Sequence, residues 1–322
     1  MQYEAEGKLM RGTGGLYEVL LSDGAPFGAG RCVAARAKGV FRHEAQTLLT
    51  GDLVRVGYDE QALSGASGQD GGSAVVLSVL PRKNALIRPP MANLDLMLIA
   101  FAAARPAPVT ETVDKLISIA EFNHIEPVPV IGKKDIDPEK ADELLHIYKN
   151  AGFSCFALSA ATGEGVDALR TYLKETLPGK TAAIAGASGV GKSTLLNLLY
   201  PGMGLETGEI SRRTARGRHT TRRVELYPAD GGFLADTPGF SMLDFVRFDF
   251  FTREDLPLTM REFAPYLGRC RYTKCTHTKE EGCAVLAAVR AGKIAPSRHA
   301  GFLSMYEDLK DKHEWSKKPC AH

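Results

Sequence analysis

The chain has no hydrophobic run long enough to cross a membrane: the longest, Leu96 to Ala104, spans nine residues, half of the ~18 a spanning helix needs. Cysteine is scarce as well. Six cysteines in 322 residues make a poor disulfide scaffold for a chain of this size. An excess of one sign of charge is nearly absent overall, at a net +2, but residues 246–322 carry 14 basic against 10 acidic side chains. Glu4 and Glu6 stand where a secretory signal would need a basic start and an apolar stretch, so a cytoplasmic protein without membrane contact is expected. What is present is ordinary globular composition, 44% hydrophobic, 24% charged and 8% aromatic, which argues against a disordered or fibrous chain.

A length of 322 residues exceeds what one core usually organises and predicts two or three domains. Residues 1–82 alternate short β-prone runs (Tyr17 to Leu21, Gly30 to Ala35, Asp52 to Tyr58, Ala74 to Leu80) with turn residues, which predicts an N-terminal OB-type β-barrel. The Gly/Ser-rich stretch from Ser64 to Ser73 reads as a loop. Residues 83–245 change to alternating strand and helix, which predicts a parallel sheet covered by helices. Its expected strands are Leu94 to Phe101, Val128 to Ile131, Phe153 to Leu158, Ala182 to Ala185 and Phe233 to Ala235. Its expected helices are Thr110 to Phe122, one capped by Asp137 with Pro138 at its first position, Val166 to Leu177, and Thr194 to Leu199. Residues 246–322 read as a mostly helical, basic domain.

Gly186-Ala187-Ser188-Gly189-Val190-Gly191-Lys192-Ser193 fulfils the phosphate-loop pattern between an apolar strand and a helix that continues through Thr194. Its glycines let successive N–H groups surround a polyphosphate. Lys192 is expected on the β and γ phosphates and Ser193 on Mg²⁺. Asp236-Thr237-Pro238-Gly239 follows a predicted strand 43 residues after Ser193. It predicts a carboxylate for Mg²⁺ at Asp236 and an amide for a γ-phosphate at Gly239. GTPases commonly read guanine with Asn-Lys-x-Asp. The nearest match is Gly132-Lys133-Lys134-Asp135, with Ser159-Ala160 as the loop backing the base, and both lie upstream of the phosphate loop. That order is a circular permutation of the usual GTPase order, which a sheet that assembles its site from strand ends tolerates.

Residues 212–223 hold six arginines and no acid, a segment that suits a phosphate-rich partner. Thr220 or Thr221 is placed to lend a switch hydroxyl to Mg²⁺. Phe240 occupies the position where many GTPases carry a water-orienting glutamine, and His219 is the local substitute expected to serve catalysis. Cys270-x4-Cys275-x-His277-x5-Cys283 offers three thiolates and an imidazole, the closed set of a structural zinc site with one ion per chain. Cys32, Cys155 and Cys320 read as small core or tail residues.

The permuted order, Gly217-Arg218-His219-Thr220-Thr221, Asp236-Thr237-Pro238-Gly239, the Cys/His cluster and Ala287 to Ile294 together resemble the bacterial family of ribosome small subunit-dependent GTPase A over nearly the whole chain. The resemblance implies an OB-fold, a permuted GTPase domain and a zinc domain in a protein acting on late 30S maturation through 16S rRNA near the decoding region. It implies that His219 serves hydrolysis and that the subunit stimulates turnover. A monomer cycling between GTP and GDP is expected. The family's asparagine is replaced by Gly132. Since that asparagine would bond guanine and brace the phosphate loop, the resemblance implies weakened nucleotide affinity with preference retained through Asp135. Two other readings stand beside it: a phosphotransferase using the same loop, which the absence of a second carboxylate cluster disfavours, and an rRNA-binding scaffold with vestigial hydrolysis.

Overall fold

The computed structural model describes residues 3–26, 28–38, 47–63, 74–87, 89–203, 224–236 and 252–310. The expected loop at Ser64 to Ser73, the arginine-rich segment 212–223 with His219, Thr220 and Thr221, the turn from Thr237 to Phe240 and Cys320 lie outside the described residues.

The N-terminal strands β1 (Tyr3–Thr13), β2 (Leu16–Leu21), β3 (Cys32–Ala37), β4 (Leu53–Tyr58) and β5 (Ala74–Val79) close into a barrel in the order 1-2-3-5-4. β1 pairs antiparallel with both β2 and β4, and β3 pairs parallel with β5. Alternation drives the closure: on β3, Val33 and Ala35 point inward between exposed neighbours, and they join Leu9, Val19, Leu21, Val54, Val56 and Val76 in one core. β1 is a strand the sequence reading did not predict. Glu4, Glu6, Lys8 and Arg11 interrupt its apolar pattern, and only pairing on two sides makes it the longest strand of the barrel. Cys32, expected in a core, is exposed on β3, whereas Cys155 is buried.

The central region carries β8 (Leu96–Ala102), α2 (Thr110–Phe122), β9 (Glu126–Gly132), α3 (Pro138–Asn150), β10 (Phe156–Ala157), α4 (Val166–Thr176), β11 (Thr181–Ala185), α5 (Lys192–Leu199), β12 (Glu225–Ala229) and β13 (Gly232–Asp236). Between the barrel and β8 lie a short helix α1 (Glu60–Leu63) and the paired two-residue strands β6 (Ala85–Leu86) and β7 (Met91–Ala92). The six strands of the sheet run β10-β9-β8-β11-β13-β12. Every residue of β8 is buried, as an uninterrupted apolar run in a parallel sheet requires. α2 starts and stops where periodicity placed it, with Val113, Leu116, Ile117 and Ala120 buried. Asp137 caps α3 by accepting from the Lys140 amide at 2.9 Å. The strand expected over Phe153 to Leu158 contracts to Phe156 and Ala157, which alone pair with Val130 and Ile131 of β9. It lies at the sheet edge, where short strands are favoured. β12, also absent from the sequence reading, pairs antiparallel with β13.

Beyond the sheet the described C-terminal residues form 3₁₀ turns at Leu256–Thr259 and Arg261–Phe263, then α6 (Ala284–Arg290) and α7 (Pro296–Asp308), the mostly helical region expected. Contacts gather the chain into two compact units. The first joins the barrel, residues 177–183 and the β12–β13 hairpin. Within it Lys8 donates to Thr181 Oγ1 at 2.8 Å and lies 4.6 Å above the Phe233 ring. The Thr181 amide donates to Asp95 at 2.8 Å. The second unit contains β8 to β10, the phosphate-loop segment and the C-terminal helices. Its α7 buries Arg298 between Asp114 of α2 and Glu262, bonded to Glu262 Oε1 at 2.7 Å. Burial raises the Asp114 carboxyl to about 6 even beside that guanidinium.

Candidate nucleotide site and metal centre

The phosphate loop leaves β11 through Gly186, whose φ of +139° only glycine adopts comfortably. A Cβ there would also lie 2.0 Å from the Ala100 carbonyl oxygen of β8, so backbone and neighbouring strand are in direct contact at the loop's entry. Gly191, left-handed at φ +97°, opens α5. Lys192 folds back over the loop and donates to the Gly186 and Ala187 carbonyls, each at 2.8 Å. Ser188 and Gly189 are exposed at the crest, Val190 is buried beneath it, Ser193 is half-buried and Thr194 is exposed.

A cavity of about 280 Å³ adjoins this loop. Gly132, Lys133, Asp135 and Ile136 line one side, Leu158, Ala160 and Ala161 a second, and Val190, Gly191, Thr194 and Leu195 a third, over a floor that includes Ala100, Phe101 and Val130. Thus the predicted base-reading segment, its backing loop and the phosphate loop meet around one space at the carboxyl ends of β8, β9 and β10, where open α/β sheets bind ligands. Asp135 is exposed at the mouth. Ser159 is fully buried and works structurally, its hydroxyl accepting from the Ala161 and Thr162 amides at 3.2 Å each. Those bonds turn the backing loop toward the cavity. Lys133, left-handed at φ +59°, donates to the Gly189 carbonyl at 3.1 Å and to the Arg105 carbonyl. It therefore ties the base segment to the phosphate loop, a tie that motif matching did not reveal. Phe101, Val130 and Leu158 were expected as strand residues and not as part of the site, and Ile136, next to Asp135, was not singled out at all.

Asp236 is the last residue of β13, one beyond Ala235, which lies opposite Ala183 of β11. Gly239, His219, Thr220 and Thr221 belong to the segments outside the described residues, so their predicted roles rest on sequence.

The second constellation forms in the C-terminal region. Cys270, Cys275, His277 and Cys283 place their donor atoms within 4.8 Å of one another. The two sulfurs of Cys270 and Cys283 are 3.9 Å apart, and His277 Nδ1 lies 3.6 and 3.5 Å from them. A tetrahedron with Zn–S near 2.3 Å and Zn–N near 2.05 Å has edges of ~3.8 and ~3.6 Å, so Cys270, Cys283 and His277 stand at zinc-ligand spacing, and Cys275 brings the fourth donor within 4.8 Å of them. The protonation chemistry agrees: burial, followed by the neighbouring thiols, pushes Cys275 up to about 12, a penalty that a divalent cation reverses. Burial lowers His277 and keeps its imidazole neutral for ligation. The Ala284 and Leu286 amides donate to the sulfurs of Cys270 and Cys283 at 3.3 and 3.5 Å. His299 Nε2 of α7 donates to the His277 carbonyl at 2.9 Å and steadies a residue held at φ +59°.

A phosphate loop on a permuted sheet, preceded by a five-stranded barrel and followed by a Cys₃His cluster, defines a circularly permuted P-loop GTPase. Residues 6–64 match the RsgA N-terminal domain, and residues 79–246 match the RsgA GTPase. The chain belongs to the RsgA GTPase family. It is 38% identical to the small ribosomal subunit biogenesis GTPase RsgA of Caldanaerobacter subterraneus subsp. tengcongensis, over 95% of this chain and 96% of that one. It is 39% identical to the RsgA of Moorella thermoacetica over 94% and 97%. Among solved structures, YjeQ from Thermotoga maritima superposes with a TM-score of 0.77 at 30% identity, covering 96% of this chain and all of that one. YloQ, described as a circularly permuted GTPase, superposes with a TM-score of 0.73 at 30% identity, covering 97% of each.

Proposed function

We propose that this GTPase acts on the small ribosomal subunit in the cytoplasm, as a monomer that binds 16S rRNA and couples subunit-stimulated GTP hydrolysis to late subunit maturation. The observation that carries the reading is the cavity shared by Gly132 to Ile136, Ala160 and Val190 to Leu195, in a chain whose relatives are named small ribosomal subunit biogenesis GTPases. Lys133 and Asp135 read guanine, with Ser159 and Ala160 behind the base. Gly186, Ala187, Ser188, Gly189, Val190, Gly191, Lys192 and Thr194 hold the phosphates. Ser193 and Asp236 hold Mg²⁺, which when bound supplies positive charge to the β and γ phosphate oxygens. Gly239 meets the γ-phosphate, Thr220 or Thr221 closes on the nucleotide, and His219 orients the attacking water. Lys192, bonded to the Gly186 and Ala187 carbonyls, exchanges those partners for phosphate oxygens. Zinc at Cys270, Cys275, His277 and Cys283 holds the C-terminal fold together. Residues 1–82, 83–245 and 246–322 divide this work into a barrel, a GTPase domain and a zinc domain.

The test is GTP hydrolysis with and without purified 30S subunits. Stimulated phosphate release supports the reading, and equal rates refute it. Gly132 favours one alternative, an rRNA-binding scaffold with vestigial hydrolysis, which would show subunit binding without stimulated turnover.

A further inference from the structure

One polar atom of the cavity has no role in the nucleotide reading: the Val190 carbonyl oxygen. Val190 is buried at 6% exposure, and among the described residues no donor is bonded to its carbonyl, because α5 closes its first backbone bond one residue later, from the Leu195 amide to the Gly191 carbonyl at 2.9 Å. A buried acceptor normally finds a partner. The oxygen faces Gly132: a Cβ there would lie 3.5 Å from it and 3.6 Å from the Phe101 carbonyl oxygen, with no other heavy atom beyond the chain neighbours inside 4 Å. This side of the cavity therefore presents carbonyl oxygens and no side-chain donor. The polar side chains on the rest of the lining are those of Lys133, Asp135 and Thr194. Lys133 is occupied by the Gly189 and Arg105 carbonyls, and Asp135 and Thr194 are exposed.

We propose that Gly132 and the Val190 carbonyl make the base site prefer guanine nucleotides that carry a hydrogen on N7, the form guanine takes when oxidised to 8-oxoguanine, over those whose N7 is an acceptor. The inference deepens the nucleotide reading and rests on it for the placement of the base. The sugar and phosphates are joined to the five-membered ring, so a base whose phosphates lie on Gly186 to Ser193 turns that ring toward Val190 and Gly132. Its six-membered ring then reaches Asp135, whose carboxylate can only accept and takes the N1 and N2 hydrogens. Adenine lacks that pair of donors and is not oriented this way. In guanine N7 is an acceptor, so it meets the Val190 oxygen with like polarity. An asparagine at position 132 would set its amide hydrogens between the two, and glycine cannot. In 8-oxoguanine N7 bears a hydrogen and donates to the Val190 oxygen directly, while the space beside Gly132 admits the substituted edge. The oxidised base thus satisfies a buried acceptor that the ordinary base leaves without a direct partner.

The test is isothermal titration of the full chain with GDP, with 7-deaza-GDP, in which a C–H replaces N7, with 8-bromo-GDP, which keeps the N7 acceptor beside a bulky C8 substituent, and with 8-oxo-GDP. In the native chain 8-oxo-GDP is expected to bind about fivefold more tightly than GDP or 8-bromo-GDP, the gain of one neutral hydrogen bond. 7-Deaza-GDP should bind as tightly as GDP, because nothing donates to N7. Gly132→Asn should invert the order, with GDP about fivefold tighter than 7-deaza-GDP and the preference for 8-oxo-GDP lost. Four results overturn the inference: 8-oxo-GDP no tighter than GDP in the native chain, an equal gain with 8-bromo-GDP, a fivefold loss on replacing N7 by C–H, or an 8-oxo preference unchanged in Gly132→Asn. The first three need only the native chain, so a misfolded variant cannot rescue the inference. GDP against ADP is read separately. Equal affinities would sink the guanine assignment, whereas a guanine preference without an 8-oxo preference would sink this inference alone.

Discussion

Gly132→Asn should strengthen this protein twice over, once in the nucleotide-free chain and once with nucleotide bound. A Cβ built on Gly132 meets the Val190 carbonyl oxygen at 3.5 Å and the Phe101 carbonyl oxygen at 3.6 Å. Both are ordinary contacts, and the backbone there is not left-handed, so the substitution introduces no strain. Loss of glycine from the unfolded chain contributes ~0.4–1 kcal/mol to stability. The asparagine amide, one bond beyond its Cγ, can donate to Val190 and brace the phosphate loop, a hydrogen bond worth about 1 kcal/mol. Together these should raise the melting temperature of the nucleotide-free protein by a few degrees. A second bond of similar size to the base should tighten GDP about fivefold and leave ADP unmoved. Lys133 already ties this segment to Gly189, so the gain should be larger in a Lys133→Ala background, where the existing brace is gone. Differential scanning calorimetry and isothermal titration with GDP and ADP check the two parts. Unchanged GDP affinity, or equal GDP and ADP affinity in the native chain, would refute the assignment of Gly132 to the base-reading position.

Cys275→Ala, or chelation, should expose the C-terminal region to protease while GDP binding persists, because the cavity residues all lie between Ala100 and Leu195; elemental analysis finding no stoichiometric zinc in freshly purified protein would contradict it. His219→Ala should keep GTP and 30S binding and lose most stimulated turnover, whereas Lys192→Ala should weaken nucleotide binding itself; full stimulation of His219→Ala, measured as phosphate release, would remove the histidine from the mechanism. Arg298→Ala leaves Asp114 and Glu262 buried without their shared cation and should cost about 3–5 kcal/mol in urea unfolding. With Asp114 raised from 3.8 to about 6, the folded state binds more protons than the unfolded state across that window, so the Asp114 contribution to stability grows as pH falls from 6 to 3.8; Asp114→Asn should abolish that slope, and an unchanged pH profile would place the proton elsewhere.

Legibility followed the range of the forces involved. α2 was readable to the residue because four apolar side chains recur at helical spacing, and α3 because Asp137 and Pro138 act on their own neighbours. β8 announced itself as a run buried on both faces. The edges resisted. β10 contracts to two residues because only Phe156 and Ala157 find partners on β9, and β1 escaped because its charges mask an alternation that matters only once β2 and β4 flank it. Cys32, indistinguishable from Cys155 by residue type, faces outward because register placed Val33 and Ala35 inward.

The sequence by itself determined the chemistry on offer: a phosphate loop between strand and helix, a candidate base-reading segment placed ahead of it in permuted order, and three cysteines with one histidine at ligand spacing. Each is a local demand, for positive φ, for a donor set or for a turn, and is therefore written in adjacent residues. Tertiary structure alone decided that Gly132 faces Val190, that Lys133 reaches Gly189 and that His299 secures His277. Those contacts join segments whose meeting depends on how sheets and helices pack, and no local pattern encodes a distance between residues that only the packed chain brings together.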